Sequence, residues 1–289
     1  VTTSYKAVER AMSDALDPFE SFADLPTHRE SVDRYTLVRS TIEREPGRFL
    51  APTKTILSAP GDTAKMALAG GDDLPIYDLA LSASDRSGWD VCPFAGACAL
   101  GCVGDAGNGG YAMVRSVRHA RTVMVVEETG FFLSMLVHEI DRGVAKFGKI
   151  AVRLNAYSDI RWERVLPRWF WDRYETTVSF YDYTKHPMAS RPMDTMPSNY
   201  TLTYSYSEWT TARNLKATVD AGRNVAVVVS TRGGYQKNGT KRAIPTTVLG
   251  MPTIDGDEHD RRYSDPKGVA VVLRRKGTLK ADSLFVVAV

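Results

Sequence analysis

The sequence predicts an α/β fold, a partial or complete (β/α) barrel with an N-terminal helical extension. Three observations carry that reading. Short β-branched and apolar runs recur from residue 76 to the end. Helical segments with apolar residues three or four apart lie between them. Polar side chains follow nearly every run, as they do past the carboxyl ends of strands in parallel sheets. With 289 residues, 43% hydrophobic and 25% charged, the chain has the composition of a globular protein with a sizeable core. The net charge of +3 does not by itself predict a nucleic-acid binder, though it allows a local basic patch. No run approaches the roughly 18 apolar residues of a membrane span.

Taken in order, residues 1–50 are charged and helical in pattern, and Pro18, Pro26 and Pro46 divide them. They form the expected extension, with the barrel-like domain over 51–289. Ala59-Pro60-Gly61-Asp62 and Ala69-Gly70-Gly71-Asp72-Asp73 mark turns. Ile76–Ser82 reads as the first strand, followed by a cysteine loop and the Gly-rich stretch 104–110. Ala112–Glu127 and Phe131–Lys146 carry helical periodicity. Strands follow at Ile150–Asn155, Thr177–Tyr183, Tyr200–Ser205 and the Val-rich Asn224–Ser230, with helices at Trp162–Tyr174 and Glu208–Ala221 between them. Val248 begins a short run, and Val269–Leu273 and Leu284–Val287 are the last. The total, roughly seven or eight strands, is near the number in a closed or partial barrel.

All three cysteines fall within one segment, Cys92-Pro-Phe-Ala-Gly-Ala-Cys98-Ala-Leu-Gly-Cys102. Three thiols this close predict one shared partner. Three thiolates can fill three corners around Zn²⁺, or hold three irons of a [4Fe–4S] cluster, and either leaves one position open. The plainer readings are buried structural thiols, or a redox pair with a bystander. An odd count in a chain this size argues against a disulfide framework. His119 and His259 are candidate fourth ligands.

Polar groups then gather at the strand ends. Asn155, Ser158 and Asp159 follow the second strand, and Asp182, Lys185 and His186 the third. Ser205, Ser207 and Glu208 follow the fourth. Asp255-Gly-Asp257-Glu258-His259-Asp260-Arg261-Arg262 is dense in charge, and two carboxylates beside a flexible Gly suit a cation, a ribose diol or proton transfer. Each has a simpler role: a helix cap for Asp159, a solvated turn pair for Asp182 and Lys185, an exposed loop for 255–262. Arg232-Gly-Gly-Tyr-Gln-Lys237-Asn-Gly-Thr-Lys241-Arg242 and Arg274-Arg275-Lys276 are basic segments able to contact phosphate, or simply to face solvent.

The order Cys-Pro-x-Ala-Gly-x-Cys-x-x-x-Cys, Arg153-Leu-Asn-Ala-Tyr-Ser-Asp159, Tyr181-Asp-Tyr-Thr-Lys185, Asp255-Gly-Asp-Glu-His-Asp-Arg261 resembles the gene-product-eighty-eight family of actinobacterial phages, over about residues 52–280. The resemblance implies a phage origin and an infected bacterial cytoplasm, and the family's name carries no reaction. The cysteine triplet ahead of a βα series is also similar to the layout of radical S-adenosylmethionine proteins, whose cluster loop follows the first barrel strand. The spacing here, C-x5-C-x3-C, departs from their C-x3-C-x2-C.

That second resemblance implies a [4Fe–4S] cluster on Cys92, Cys98 and Cys102, with S-adenosylmethionine at the open iron. Asn155, Asp159 and Ser205 are then the expected cofactor-binding residues, and Lys185, Asp182, Asp257 and His259 the expected catalytic ones. The expected substrate is a nucleotide or nucleic-acid base. The rival expectations are a zinc-containing nucleic-acid-binding protein without catalysis, and a metal-free barrel binding a phosphorylated ligand.

Overall fold

The computed structural model describes residues 2–43, 54–61, 74–105, 107–232, 242–276 and 279–289. The Ala69–Asp73 turn, Pro46, Lys237 and Lys241 lie outside the described residues. The described chain is a mixed α/β protein around one ten-stranded sheet. The strands are β1 (Leu57–Ser58), β2 (Ile76–Leu79), β3 (Ile150–Arg153), β4 (Val178–Thr184), β5 (Tyr200–Ser205), β6 (Val225–Arg232), β7 (Thr247–Val248), β8 (Met251–Asp255), β9 (Ala270–Arg275) and β10 (Val286–Val287). Their order is β1-β2-β3-β4-β5-β6-β9-β8-β7. Every pairing from β2 to β8 is parallel, and the antiparallel pairs β1/β2 and β7/β8 form the two ends. Those ends do not pair with each other among the described residues. β10 pairs with Val228–Val229 of β6, beyond the point where β5 pairs with Val225–Ala226.

The helices are α1 (Tyr5–Leu16), α2 (His28–Glu43), α3 (Ala112–Glu127), α4 (Thr129–Phe147), α5 (Trp162–Val165), α6 (Arg168–Arg173) and α7 (Ala212–Asp220). Tyr5, Val8, Met12 and Leu16 give α1 one buried stripe, and Ser31, Tyr35, Val38 and Ile42 do the same for α2. Both stripes join the apolar cluster that α3, α4, α5 and α6 form with β1–β5. The N-terminal helices thus share the core of the sheet. Among the described residues no helix is long and apolar enough to cross a membrane.

Alternation along the strands sorts side chains between two faces. Val152 and Phe180 enter the helix-packed core, whereas Asp78, Arg153 and Tyr183 face the other side. On β6, Val225, Val227 and Val229 pack into a second core with Val248, Met251 and Val272, while Ala226 and Val228 face the same side as Arg153. A strand covered on both faces explains the unbroken apolar run.

The structure departs from the expected elements in four places. The helix expected at 162–174 is two short ones, because Pro167 forces Leu166 into extended backbone (φ −76°, ψ 136°). The helix expected from Glu208 begins at Ala212, where the Thr211 hydroxyl accepts from the Asn214 N–H. The sequence reading also missed β1, which is two residues long, and β8, whose Pro252 argues against a strand.

Two buried groups generate tests of this core. Trp171 is 2% exposed, stacks on Tyr200 at 5.0 Å and meets Phe180 edge-on at 5.1 Å. Trp171→Ala is expected to destabilise the chain by about 3–5 kcal/mol in urea unfolding; a loss under 1 kcal/mol (roughly the cost of an exposed site) contradicts this packing. Glu139 of α4 accepts the backbone N–H groups of Ile56 and Leu57, each at 2.8 Å, and burial pushes its pKa up to about 7. The unfolded carboxyl releases its proton near pH 4.3, so the native state binds the extra proton between about pH 4.3 and 7, and wild-type stability falls across that window as pH rises. Glu139→Gln cannot titrate and leaves one N–H facing an amide. The Tm gap between wild type and E139Q is therefore expected to be widest near pH 5 and to narrow by pH 8. A gap that widens with pH contradicts it.

Candidate functional site

The cysteine loop leaves the carboxyl end of β2 and makes a 3-10 turn, Gly96–Gly101, that carries the second thiol and ends just before the third. Several elements hold it. The Cys92 N–H donates to Asp90 at 3.0 Å, and the Asp159 N–H donates to the Val91 carbonyl at 2.8 Å. The Ala97 N–H donates to the Glu208 carboxylate at 2.5 Å, and Arg86 donates to the Ala99 carbonyl at 3.0 Å while pairing with Asp105. Arg118 of α3, 8% exposed, donates to the carbonyls of Gly104 and Gly109 and lies 4.2 Å from the centre of the Tyr157 ring.

This clamping explains two glycines. Gly96 has φ +46°, and a Cβ there would stand 2.0 Å from Glu208 Oε1. A Cβ on Gly109 would stand 2.2 Å from the Gly104 carbonyl oxygen.

Cys92, Cys98 and Cys102 all line one cavity of about 500 Å³ at the carboxyl edge of the parallel strands. That volume lies in the range of small-molecule sites. Of the residues expected there, Asn155, Asp159, Ser205 and Lys185 line it with the cysteines. Asp182, Asp257 and His259 are not among its lining residues.

Alternation explains Asp182. Three residues before Lys185, it occupies the opposite face, fully buried among helix-packed groups. It accepts from the Asn155 N–H at 2.7 Å, the Asn155 amide at 3.2 Å and the Tyr200 hydroxyl at 2.7 Å, and burial pushes its pKa up to about 7. The Asn155 amide oxygen in turn accepts from Ser158, the Ile160 N–H and the Trp162 indole. This pair thus shapes the loop after β3.

Asp257 accepts the Arg274 N–H at 3.0 Å and pairs with Lys276 at 2.7 Å. Asp255 grips the Arg274 guanidinium with both oxygens, at 2.7 and 2.9 Å. These carboxylates therefore orient cations that do line the cavity. His259 Nδ1 contacts Arg262 at 2.9 Å, and burial and that guanidinium lower its pKa. His119 lies against Trp89, ring centres 6.3 Å apart, and is not among the lining residues.

Lys185 reaches into the cavity and donates to Cys98. Burial opposes its charge, but the sulfurs of Cys98 and Cys92 and the Asp159 carboxylate outweigh that and push its pKa up to about 12. Burial raises the Cys92 thiol well above its usual range, against the pull of Lys185. Burial also raises Cys102, against a hydrogen bond from the Gly104 N–H. Asp159 accepts the Lys185 N–H at 2.8 Å and stands 3.7 Å from Arg191. The lining holds six cationic side chains (Arg86, Arg153, Lys185, Arg274, Arg275 and Lys276) against three carboxylates (Asp78, Asp159 and Asp260). Sequence reasoning missed Asp78 and Arg153 as lining groups, and Arg118 as the loop's clamp. Asp78 and Arg153 stand side by side across β2 and β3, and Arg153 pairs with Asp260 at 2.9 Å over the Tyr183 ring. Period-two alternation from the core residues Leu79 and Val152 was the signal available for both.

Among the described residues no three His, Cys, Asp or Glu side chains stand close enough to share one metal ion. A cluster makes a different demand, since each thiolate binds its own iron. Three thiols line one cavity beside a charged lysine, and no histidine is among its lining residues.

No curated protein and no solved structure shows a significant match to the chain. The family model described as Gene product 88 matches residues 53–288, a span that takes in the whole sheet from β1, the cysteine loop and the cavity. The chain belongs to the Gene product 88 family of phage proteins.

Proposed function

We propose that the protein is an enzyme whose three cysteines hold an iron–sulfur cluster in the cavity, with a nucleotide or nucleic-acid base as substrate. The single observation that supports it is that Cys92, Cys98, Cys102 and Lys185 all line one cavity at the carboxyl edge of a parallel sheet. A cluster with three protein ligands supplies an open iron, at which the amine and carboxylate of S-adenosylmethionine can bind, and thereby access to one-electron chemistry. The substrate class rests on the phage origin and on the cationic lining, and is an analogy of setting.

The chain's own residues have separable tasks in this reading. Lys185 offsets the negative charge of thiolates in a site where burial disfavours it. Ser205 and Asp159 offer polar contacts to a bound cofactor, and Arg275 and Lys276 face the space left for substrate. Leu279 and Phe285 form an apolar wall that limits water, with Leu279 packed so close to Gly101 that a Cβ there would meet it at 2.8 Å.

Protein purified without oxygen is expected to be brown, with iron and acid-labile sulfide near four per chain. Cys92→Ser, Cys98→Ser and Cys102→Ser are each expected to lose the visible absorption and most of the iron while keeping the wild-type circular dichroism. Stoichiometric zinc without iron would support the zinc-binding rival, and metal-free protein the rival that binds a phosphorylated ligand. Either result removes the cluster reading.

Lys185→Met keeps the aliphatic stem and deletes the charge. It is expected to hold less cluster through desalting and to shift the cluster's potential in the negative direction, with Tm unchanged within about 2 °C, as for a substitution that opens no cavity. Equal iron retention and an equal potential would show that Lys185 does not serve the cysteines.

A further inference from the structure

A second cavity, of about 1000 Å³, opens between the β1 edge and the helix pair α3–α4. Arg118 and Arg121 stand three apart on α3, and Glu139, Arg142 and Lys146 stand three and four apart on α4, so each helix turns one charged face toward the same groove. The groove thus has four cations against two carboxylates, Asp78 and Glu139.

The six charges are not equally available. Both oxygens of Glu139 are engaged by the N–H groups of Ile56 and Leu57. Arg118 is committed to Gly104, Gly109 and the Tyr157 ring. Arg121 is 7% exposed and lies beside the Tyr35 hydroxyl; its Nε, like that of Arg118, has no hydrogen-bond partner among the described residues. A guanidinium buried this far with an unused donor is costly unless something accepts from it. Arg142 and Lys146 are exposed at the rim, where they can close over a ligand held by Arg121. The excess of at least two positive charges suits a phosphate monoester, which carries about −1.5 to −2 at pH 7 and offers three acceptor oxygens.

We propose that this groove binds a phosphate monoester through Arg121, Arg142 and Lys146. Its lining shares Asp78 and Tyr157 with the cysteine cavity, so a phosphate anchored here places the rest of its molecule beside that cavity's wall. The site stands whether or not the cysteines carry a cluster. Two sources offer this group: a free nucleotide or sugar phosphate, and the phosphorylated end of a nucleic acid.

Isothermal titration of the full chain with adenosine 5′-monophosphate, adenosine, and a short oligonucleotide with and without a 5′-phosphate separates these cases. The monophosphate is expected to bind, adenosine to bind at least tenfold more weakly, and rising salt to weaken the complex. Arg142→Ala with Lys146→Ala, both exposed and outside the core, is expected to weaken the monophosphate about tenfold or more. Iron content and circular dichroism should not change. Binding of only the 5′-phosphorylated oligonucleotide, lost in the double variant, supports the site and assigns it to a nucleic-acid end. Equal affinity for phosphorylated and unphosphorylated ligands, no binding by any of them, or unchanged affinity in the folded double variant overturns the proposal. Loss of iron from the wild type would instead count against the cluster reading and leave this one standing.

Discussion

The site depends on one guanidinium. Arg118 projects from α3 into the chain that follows Cys102, where its donors meet the carbonyls of Gly104 and Gly109 and its face covers Tyr157. A loop rich in glycine loses much backbone entropy on ordering, so something must hold it. A buried arginine with several donors can do this, because one side chain donates to two carbonyls at once, although its own Nε is left without a partner among the described residues. The same helix supplies part of the core through Ala120, Met124 and Val125. Helix packing and loop geometry are therefore coupled. The thiols inherit their position from the hydrophobic core, and a change in α3 is felt at the cysteines without touching them.

The N-terminal helices join this arrangement from the other side. Thr3 pairs with Trp89 just ahead of the cysteines, and the Asp90 N–H donates to the Thr3 carbonyl at 2.9 Å. Tyr5 of α1 packs on His186, ring centres 5.2 Å apart, and His186 packs edge-on against Phe94, inside the cysteine loop, at 5.1 Å. Glu9 and Arg161 form an ion pair beside the same tyrosine. A segment that reads in sequence as an appendage thus contacts both the cysteine loop and the loop after β3. Its rigidity contributes to theirs.

Legibility in the sequence followed the range of the interaction. Strands such as Val225–Val229 and helices such as α3 and α4 were readable because periodicity is local. The gathering of Cys92, Asn155, Asp159, Lys185 and Ser205 was readable because all follow strands of a parallel sheet. Asp182 and Lys185 show where that reasoning stops. Both sit at the end of β4, but a spacing of three puts them on opposite faces, and only the side chains of Asn155 and Tyr200 reveal what Asp182 does. Asp257 was placed at the mouth by its charge, and the structure turns that charge toward Arg274 and Lys276 instead. Arg118 was hidden among the arginines of a basic helix, since nothing local marks the one that turns inward.

The three thiols are half-buried in a charged cavity. Desolvation raises the Cys92 and Cys102 thiols and favours their protonated form, in a cavity whose lining carries six cations. Arg86, Arg153, Arg274 and Lys276 already pair with carboxylates, and Lys185 has Asp159 beside it, so neutral sulfur would leave Lys185 with the thinnest support. Thiolates reverse the balance: Lys185 gains partners, the cationic excess of the lining is offset, and the apolar wall of Leu279 and Phe285 strengthens each attraction by excluding water. Metal ions are the agents that make thiolates stable in such a place, since binding displaces the proton. A metal group of the kind proposed would hold these sulfurs as thiolates, and Lys185, which already donates to Cys98, is placed to offset their charge.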